Sequence, residues 1–298
     1  MIGAVDIGGT KFAVGMLSET GEVLSRSECP SLPEQGMAAG LIRIHRMLRE
    51  TAEQAGGHLQ GIGIGCTGPV DPFTGELQQI EFLPGWEGLN LVDDLERAFG
   101  VQAAIENDAD AAALGEYAWG AGKGMQSFIY ITVSTGIGGG VVLDGRLYRG
   151  ADGSHPEMGH HVIDSHGPKC FCGASGCWES LASGPALALR GKQASALAVC
   201  NAARCGESDA LAAVEQEGWY LGLGLANLVS LFVPDVIALG GGVMQSRDLF
   251  WEKINTTIQT NCGLVPYQKT RLLPALLGKD AGLAGAAQVW IKRFGEIR

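Results

Sequence analysis

The sequence predicts an α/β protein of two similar lobes that face each other across a cleft. A strand, a glycine turn and a second strand occur in succession twice, once around Asp6 and once around Ser134. After each, strands and helices alternate, the pattern of a layered α/β unit that has been repeated. The length agrees: 298 residues, 46% hydrophobic, supply two cores at about 150 residues per domain.

The elements follow in order. Ile2 to Ile7 reads as a strand, Gly8-Gly9-Thr10 as a tight turn, Phe12 to Leu17 and Val23 to Ser27 as the next two strands of a meander. Met37 to Ala55 has helical spacing, and Gly61 to Gly65 is a short buried strand. Leu91 to Phe99 is a helix that Gly100 stops. Ala103 to Glu106 is a strand that runs into Asn107-Asp108, and Ala109 to Ala118 is a helix of small residues. The pattern restarts with a strand over Ser127 to Val133, the turn Ser134 to Gly140 and a strand over Gly139 to Leu143. A helix over Trp219 to Phe232, a strand over Val236 to Leu239 and the triplet Gly240 to Gly242 complete it. Gly191 to Asp209 carries no readable chemistry.

The formal net charge of −11 repels phosphate backbones and anionic lipid, so neither nucleic acid nor a membrane is an expected partner. The most apolar stretch, Trp219 to Val243, is broken by Asn227, Ser230, Pro234 and Asp235 and reads as core rather than a membrane span. No basic start followed by an apolar stretch opens the chain, so a cytoplasmic protein is expected. Of eight cysteines, Cys170, Cys172 and Cys177 cluster within eight residues, which favours metal binding over disulfides.

Asp6-Ile7-Gly8-Gly9-Thr10-Lys11 places an acid at a strand end, then glycines, a hydroxyl and a lysine. Glycine lets backbone N–H groups face a phosphate, Thr10 and Lys11 add donors, and Asp6 suits a hydrated Mg²⁺. Alone, this is equally a plain hairpin turn. The second turn, with Ser134, Thr135, Gly136 and Gly138, shifts the balance. It is neither a Walker A loop nor a dinucleotide fingerprint. One such turn per lobe suits a triphosphate, and Gly241 and Gly242 offer side-chain-free backbone for a base or ribose.

Asp108 stands where a strand ends and a helix begins. By spacing alone it is a helix cap; functionally it suits a general base for an attacking hydroxyl, with Asn107 orienting the substrate. His160, Cys170, Cys172 and Cys177 form the set of four that closes a structural zinc shell. His155, His161 and His166 are rival fourth ligands. Glu157 and Glu179 flank the cluster, and paired carboxylates accept hydrogen bonds from vicinal hydroxyls, which a sugar offers.

These residues resemble the ROK family of sugar kinases and repressors, within the actin-like ATPase superfamily. The resemblance runs nearly end to end: Asp6 to Lys11, Gly65 to Asp71, Glu106 to Gly122, Ser134 to Gly140, Glu157 to Glu179, Asp235 to Gly242 and Asp280 to Ala287. It implies two actin-like (ribonuclease-H-like) lobes, residues 1–112 with 284–298 and residues 113–283, with Mg-ATP in the cleft and γ-phosphate transfer to a hexose hydroxyl. It implies Asp108 as the catalytic base. Sugar contacts would be Gly65, Asn107, Asp108, Glu157, His160 and Glu179. ATP contacts would be Asp6, Gly8, Gly9, Thr10, Lys11, Ser134, Thr135, Gly136, Gly138, Gly241 and Gly242. The zinc ligands would be His160, Cys170, Cys172 and Cys177, and a homodimer is expected. Repressor members carry a helix-turn-helix before the first phosphate turn. With five residues before Asp6 and a charge of −11, the kinase branch is expected.

Ser154 to His160 and Glu179 to Ala186 look similar to fructokinase members, whereas Cys170 to Gly173 and Trp178 look more like glucokinase and N-acetylhexosamine kinase members. A glucose-type hexose phosphorylated at its 6-OH is the expectation. A fructokinase, an N-acetylmannosamine or N-acetylglucosamine kinase and a non-catalytic sugar sensor are the alternatives.

Overall fold

The structure is a computed structural model and describes residues 1–295. The chain forms two compact units. Unit one comprises Met1–Gly124, Gly140–Pro156 and the described chain from Leu276 onward; unit two comprises Met125–Gly139 and Glu157–Ala275. The C-terminal residues 296–298, part of the expected first lobe, lie outside the described residues.

Unit one is built on β1 (Ile2–Ile7), β2 (Lys11–Leu17), β3 (Val23–Pro30), α1 (Gly36–Ala55), β4 (Gly61–Cys66), α2 (Leu91–Phe99), β5 (Gln102–Asn107) and α3 (Asp108–Trp119). The strand order is β3-β2-β1-β4-β5. The short turns make β1, β2 and β3 antiparallel, whereas the α1 and α2 crossovers make β4 and β5 parallel to β1. Side chains alternate along β1 with the period of two that a pleated strand imposes. Val5 and Ile7 join the cluster of Ile44, Met47 and Leu48 from α1. Ile2 and Ala4 join Leu283, Ala284, Ala286 and Ala287 of the C-terminal helix.

The chain continues with β6 (Ser127–Val133), β7 (Ile137–Leu143), β8 (Arg146–Leu147), α4 (Trp178–Ala182), α5 (Gly184–Arg190), α6 (Ala196–Arg204), α7 (Ser208–Phe232), β9 (Val236–Gly240), α8 (Trp251–Asn261), β10 (Arg271–Pro274) and α9 (Ala281–Phe294). The second sheet has the order β10-β9-β6-β7-β8, with β10, β9 and β6 mutually parallel. The chain passes from unit two to unit one within β7, at Gly139–Gly140.

Several expectations shift. The β7 strand begins at Ile137, inside the expected turn, because Gly139 must lie flat against Tyr130 and Ile131: a Cβ there would fall 2.5 Å from the Tyr130 carbonyl oxygen. The α7 helix starts at Ser208 rather than Trp219, and 191–209 is largely helical. Its first turns bury only the small residues Ala210, Ala213 and Val214, so their apolar stripe is weaker than that of the second half. Among the described residues, no helix is long and apolar enough to cross a membrane.

Glu116, fully buried near the end of α3, holds two connections of unit one. Its carboxylate accepts from Ala121 N at 2.9 Å, Leu276 N at 3.1 Å and Leu277 N at 2.7 Å. Gly120 leaves the room: a Cβ there would lie 2.1 Å from Glu116 Oε2. Glu116→Ala leaves three part-buried donors without their acceptor, at up to roughly 1–3 kcal/mol each before relaxation. A loss of about 3 kcal/mol or more is expected, read as a lowered urea midpoint with the denaturant slope unchanged.

Candidate active site

In unit one the acids gather at one end of the sheet. Asp6 shares the α9 face of β1 with Ile2 and Ala4. Its carboxylate lies against the first turn of α9, so that a Cβ on Gly282 would stand 2.3 Å from Asp6 Oδ2. Burial pushes the Asp6 carboxyl up to about 7, and the neighbouring Asp108 adds to the rise. Gly65, buried in β4, lies under α3: a Cβ there would be 3.2 Å from Ala111 Cβ and 3.6 Å from the Asp108 Cα. The helix cap that spacing assigned to Asp108 is Asn107, whose Oδ1 accepts from Ala109 N at 2.9 Å and Asp110 N at 3.3 Å. Asp108 is instead the first helical residue, half-buried where Asn107 is buried.

The first glycine turn is closed by Gly8 N donating to Lys11 O at 3.0 Å, and Ser31 Oγ donates to Gly9 O at 2.5 Å. Phe82 covers Gly9, with its Cβ 2.5 Å from where a glycine Cβ would be. Thr10 is exposed. The Lys11 ammonium is turned to Glu28 at 3.4 Å.

In unit two the second turn leaves Ser134 and Thr135 exposed. Ser134 N donates to Gly136 O, and Gly184 N, at the start of α5, donates to Ser134 O, both at 2.8 Å. Gly241 has φ +91° and no room for a side chain, since a Cβ would meet the Val133 carbonyl oxygen at 2.3 Å. Gly242 lies beside Ser134 Oγ. The two glycine segments therefore converge within this unit.

Ile137 links that turn to the two glutamates. Its N–H donates to Glu179 Oε2 at 2.8 Å, and the same oxygen would be 2.4 Å from a Cβ on Gly136. Its carbonyl oxygen would be 1.9 Å from a Cβ on Gly159. Gly159 sits in the 3-10 turn Met158–His160, which follows the exposed Glu157. Glycines at 136 and 159 thus hold Glu179 and the Glu157 turn against one strand end.

His160, Cys170, Cys172 and Cys177 bring one donor atom each to within 4.8 Å of one another. Cys170 Sγ is 3.4 Å from His160 Nδ1, and Cys172 Sγ is 3.5 Å from Cys177 Sγ. Tetrahedral zinc with bonds of about 2.0–2.3 Å needs donor separations of roughly 3.5–3.8 Å. Burial and then the neighbouring thiols push the Cys177 thiol up to about 12. Three ionised sulfurs do not share this space without a cation, so the donor set fits a structural zinc. The rival histidines are engaged elsewhere: His155 Nδ1 with Asp110 Oδ2 at 2.7 Å, His161 Nδ1 with Met158 O at 2.5 Å, and His166 in solvent beside Asp164.

Sequence reasoning missed Gly282, Ile137 and Glu116. Gly282 lies in the motif Asp280 to Ala287, but nothing local says that Asp6 faces it across nearly the whole chain.

Two outcomes follow. Between about pH 4 and about 7 native Asp6 keeps a proton that the unfolded chain has released at its ordinary 3.8. Its contribution to stability therefore falls as pH rises through that window and is level above it. Asp6→Asn removes the fall, so its melting temperature should gain on the parent protein from pH 4 to 7 and hold that gain beyond, as scanning calorimetry would read. Cys172→Ser should abolish stoichiometric metal in purified protein by elemental analysis; full metal content would exclude the four-ligand shell.

Comparison with known proteins places these geometries. The model of the ROK family matches residues 2–293. The glucokinase of Thermotoga maritima is 32% identical, over 98% of this chain and 97% of its own. The xylose repressor of Bacillus spizizenii is 35% identical over 85% of this chain and 66% of its own length. A solved ROK family glucokinase from Streptomyces griseus, in complex with glucose and AMPPNP, superposes with a TM-score of 0.83 at 33% identity, covering 96% of this chain and 97% of that one. The two mixed sheets match the fold of that structure, and the chain belongs to the ROK family.

Proposed function

We propose that this chain transfers the γ-phosphate of ATP to a hydroxyl, the 6-OH favoured, of a glucose-type hexose, with Asp108 as general base. The phosphotransferase class rests on the family and on relatives named for it. The single observation that carries the residue assignment is the placement of Asp108 beside Asp6, at the end of a helix that Asn107 caps in its stead. Its carboxylate, whose Oδ1 accepts from Ala109 N at 2.8 Å, would take the proton of the attacking hydroxyl as the bond to phosphorus forms.

Asp6 would hold hydrated Mg²⁺, whose charge also relieves the repulsion between Asp6 and Asp108. Gly8, Gly9, Thr10 and Lys11 would meet the phosphates from unit one; Lys11 would leave Glu28 to do so. Ser134, Thr135, Gly136, Gly138, Gly241 and Gly242 would meet the nucleotide from unit two. Glu157, His160 and Glu179 would take sugar hydroxyls in unit two; in unit one Gly65 and Asn107, beside Asp108, are the proposed sugar contacts. Zinc in the His160, Cys170, Cys172 and Cys177 shell would hold His160 and the Glu157 turn in place.

A regulatory sugar sensor without turnover is the second reading, favoured by the likeness to the xylose repressor. The acidic balance of the chain counts against a DNA partner.

Asp108→Asn should keep sugar affinity by calorimetry while kcat falls by about a thousandfold, within the span general-base loss produces. Wild-type turnover in that variant would remove the base assignment. A coupled ADP assay over glucose, fructose, mannose, N-acetylglucosamine and N-acetylmannosamine should give its highest kcat/KM with glucose. Sugar binding without ADP release for any of the five would favour the sensor.

A further inference from the structure

Two buried acids flank Asp108 in sequence, and the proposed reaction gives neither a role. Glu106 is the penultimate residue of β5, and Asp110 lies in the first turn of α3. Their side chains are 3% and 0% exposed. Each is paired with a basic side chain from one short segment of the same unit. Arg149 Nη2 donates to Glu106 Oε2, and His155 Nδ1 meets Asp110 Oδ2 at 2.7 Å.

The segment is shaped to present both partners together. Gly150 N donates to Ser154 O at 2.8 Å and Ser154 N to Ala151 O at 3.0 Å, which closes the loop on itself. Asp152 and Gly153 take positive φ at its tip. Phe73 packs over Gly153, its ring 2.3 Å from where a Cβ would be, and the same ring lies 6.0 Å from the Arg149 guanidinium. So Arg149 and His155, six residues apart, leave the loop base side by side.

On a helix, residues two apart point to nearly opposite sides. Asp110 is therefore buried on the face away from the half-buried Asp108. The loop grips the back of the helical turn that carries Asp108, and Glu106 grips the strand that enters it. Gly140 of β7 closes the far side, since its Cβ would lie 2.9 Å from Asp110 Oδ1. Burial, with a contribution from Asp110, holds Glu106 above the usual carboxylate range even beside Arg149.

We propose that Arg149 and His155 are positioning residues for phosphoryl transfer: by pairing with Glu106 and Asp110 they fix the β5–α3 junction, and so the direction of the Asp108 carboxylate. This rests on Asp108 being the base. Displacement of a reacting group by about 1 Å costs on the order of a hundredfold in rate.

The test compares His155→Ala, Arg149→Ala, Asp110→Asn and Asp108→Asn in the full chain, with glucose and ATP and well below each melting temperature. His155→Ala and Arg149→Ala should lose roughly 10- to 100-fold in kcat with ATP KM changed less than about threefold. Arg149 is 32% exposed, so its variant serves if His155→Ala fails to fold. Asp110→Asn should stay within about threefold of the parent kcat, because a carboxamide oxygen still accepts from Nδ1–H. Lowered melting temperatures with parent kcat in both alanine variants, while Asp108→Asn is inactive, would overturn the positioning role alone. Parent-like turnover in Asp108→Asn would overturn the base assignment and this proposal with it.

Discussion

The close approach of α3 and α9 to the first sheet is the constraint on which unit one depends. Neither helix could sit where it does with ordinary side chains at the contact. A Cβ on Gly63 would fall 1.7 Å from the Ala286 carbonyl oxygen, and one on Gly285 would fall 2.1 Å from that of Ala111. Gly115 meets the Gly285 backbone at 2.6 Å in the same sense. Backbone lies on backbone, and the alanines between fill what remains. The functional consequence is positional. Only a helix this close brings Gly282 onto the Asp6 carboxylate, and only a strand this close sets Gly65 under Asp108. A larger residue at Gly63 or Gly285 would have to displace backbone, and an interior packed to crystal-like density transmits such a change.

Unit two reaches a comparable precision by other means. Its exposed loops around Glu157 and Cys170–Cys177 have little apolar material to bury, as Phe171 at 60% exposure shows. Zinc in the proposed four-donor shell would supply the missing cohesion, because a metal bound only in the folded state adds its binding free energy to folding. The shell joins the rest of the unit through Trp178, which is fully buried and donates from Nε1 to Tyr220 O at 3.0 Å. From there the path to the second glycine turn is one residue long, since Glu179 holds Ile137. The Cys/His cluster, glutamate and turn are therefore one structural unit rather than three neighbouring features.

Much of this was legible in the residues. Glycine turns after apolar strands, the alanine-rich α3 and the Cys170–Cys177 spacing are local patterns, and each element appeared near its expected place. What escaped was non-local or polar. The α7 helix looked short because Ser208 to Gln216 buries only the small residues Ala210, Ala213 and Val214, a weaker signal than the Leu-rich half that follows. Spacing gave Asp108 the capping role, yet both Asn107 and Asp108 can cap, and only backbone geometry decides that Asn107 has the extended conformation a cap requires. Four histidines lay near the cysteines, and sequence distance could not separate them. The pairing of His155 with Asp110, 45 residues away, removes one rival by a contact that no local window contains.

The electrostatics of the Asp6 end explain why a fold would keep so unfavourable an arrangement. Burial penalises a charged carboxylate, and Asp108 beside Asp6 penalises it further; Lys11 and Arg26 offset only part. Pairing Asp6 fully with a protein cation would relieve the strain but would also leave nothing for a metal ion to gain. The Lys11 ammonium lies instead against Glu28, and Arg26 is shared between Glu28 and Asp280. Cationic charge is thus held near Asp6 but directed at other acids. An acid left short of positive charge discriminates strongly for a nucleotide that arrives with its cation, and against the bare polyanion. In that reading the instability is what makes the proposed site selective, and a chain of net charge −11 can take up a triphosphate because the ion, the helix dipole and the glycine-turn amides meet it where the side chains do not.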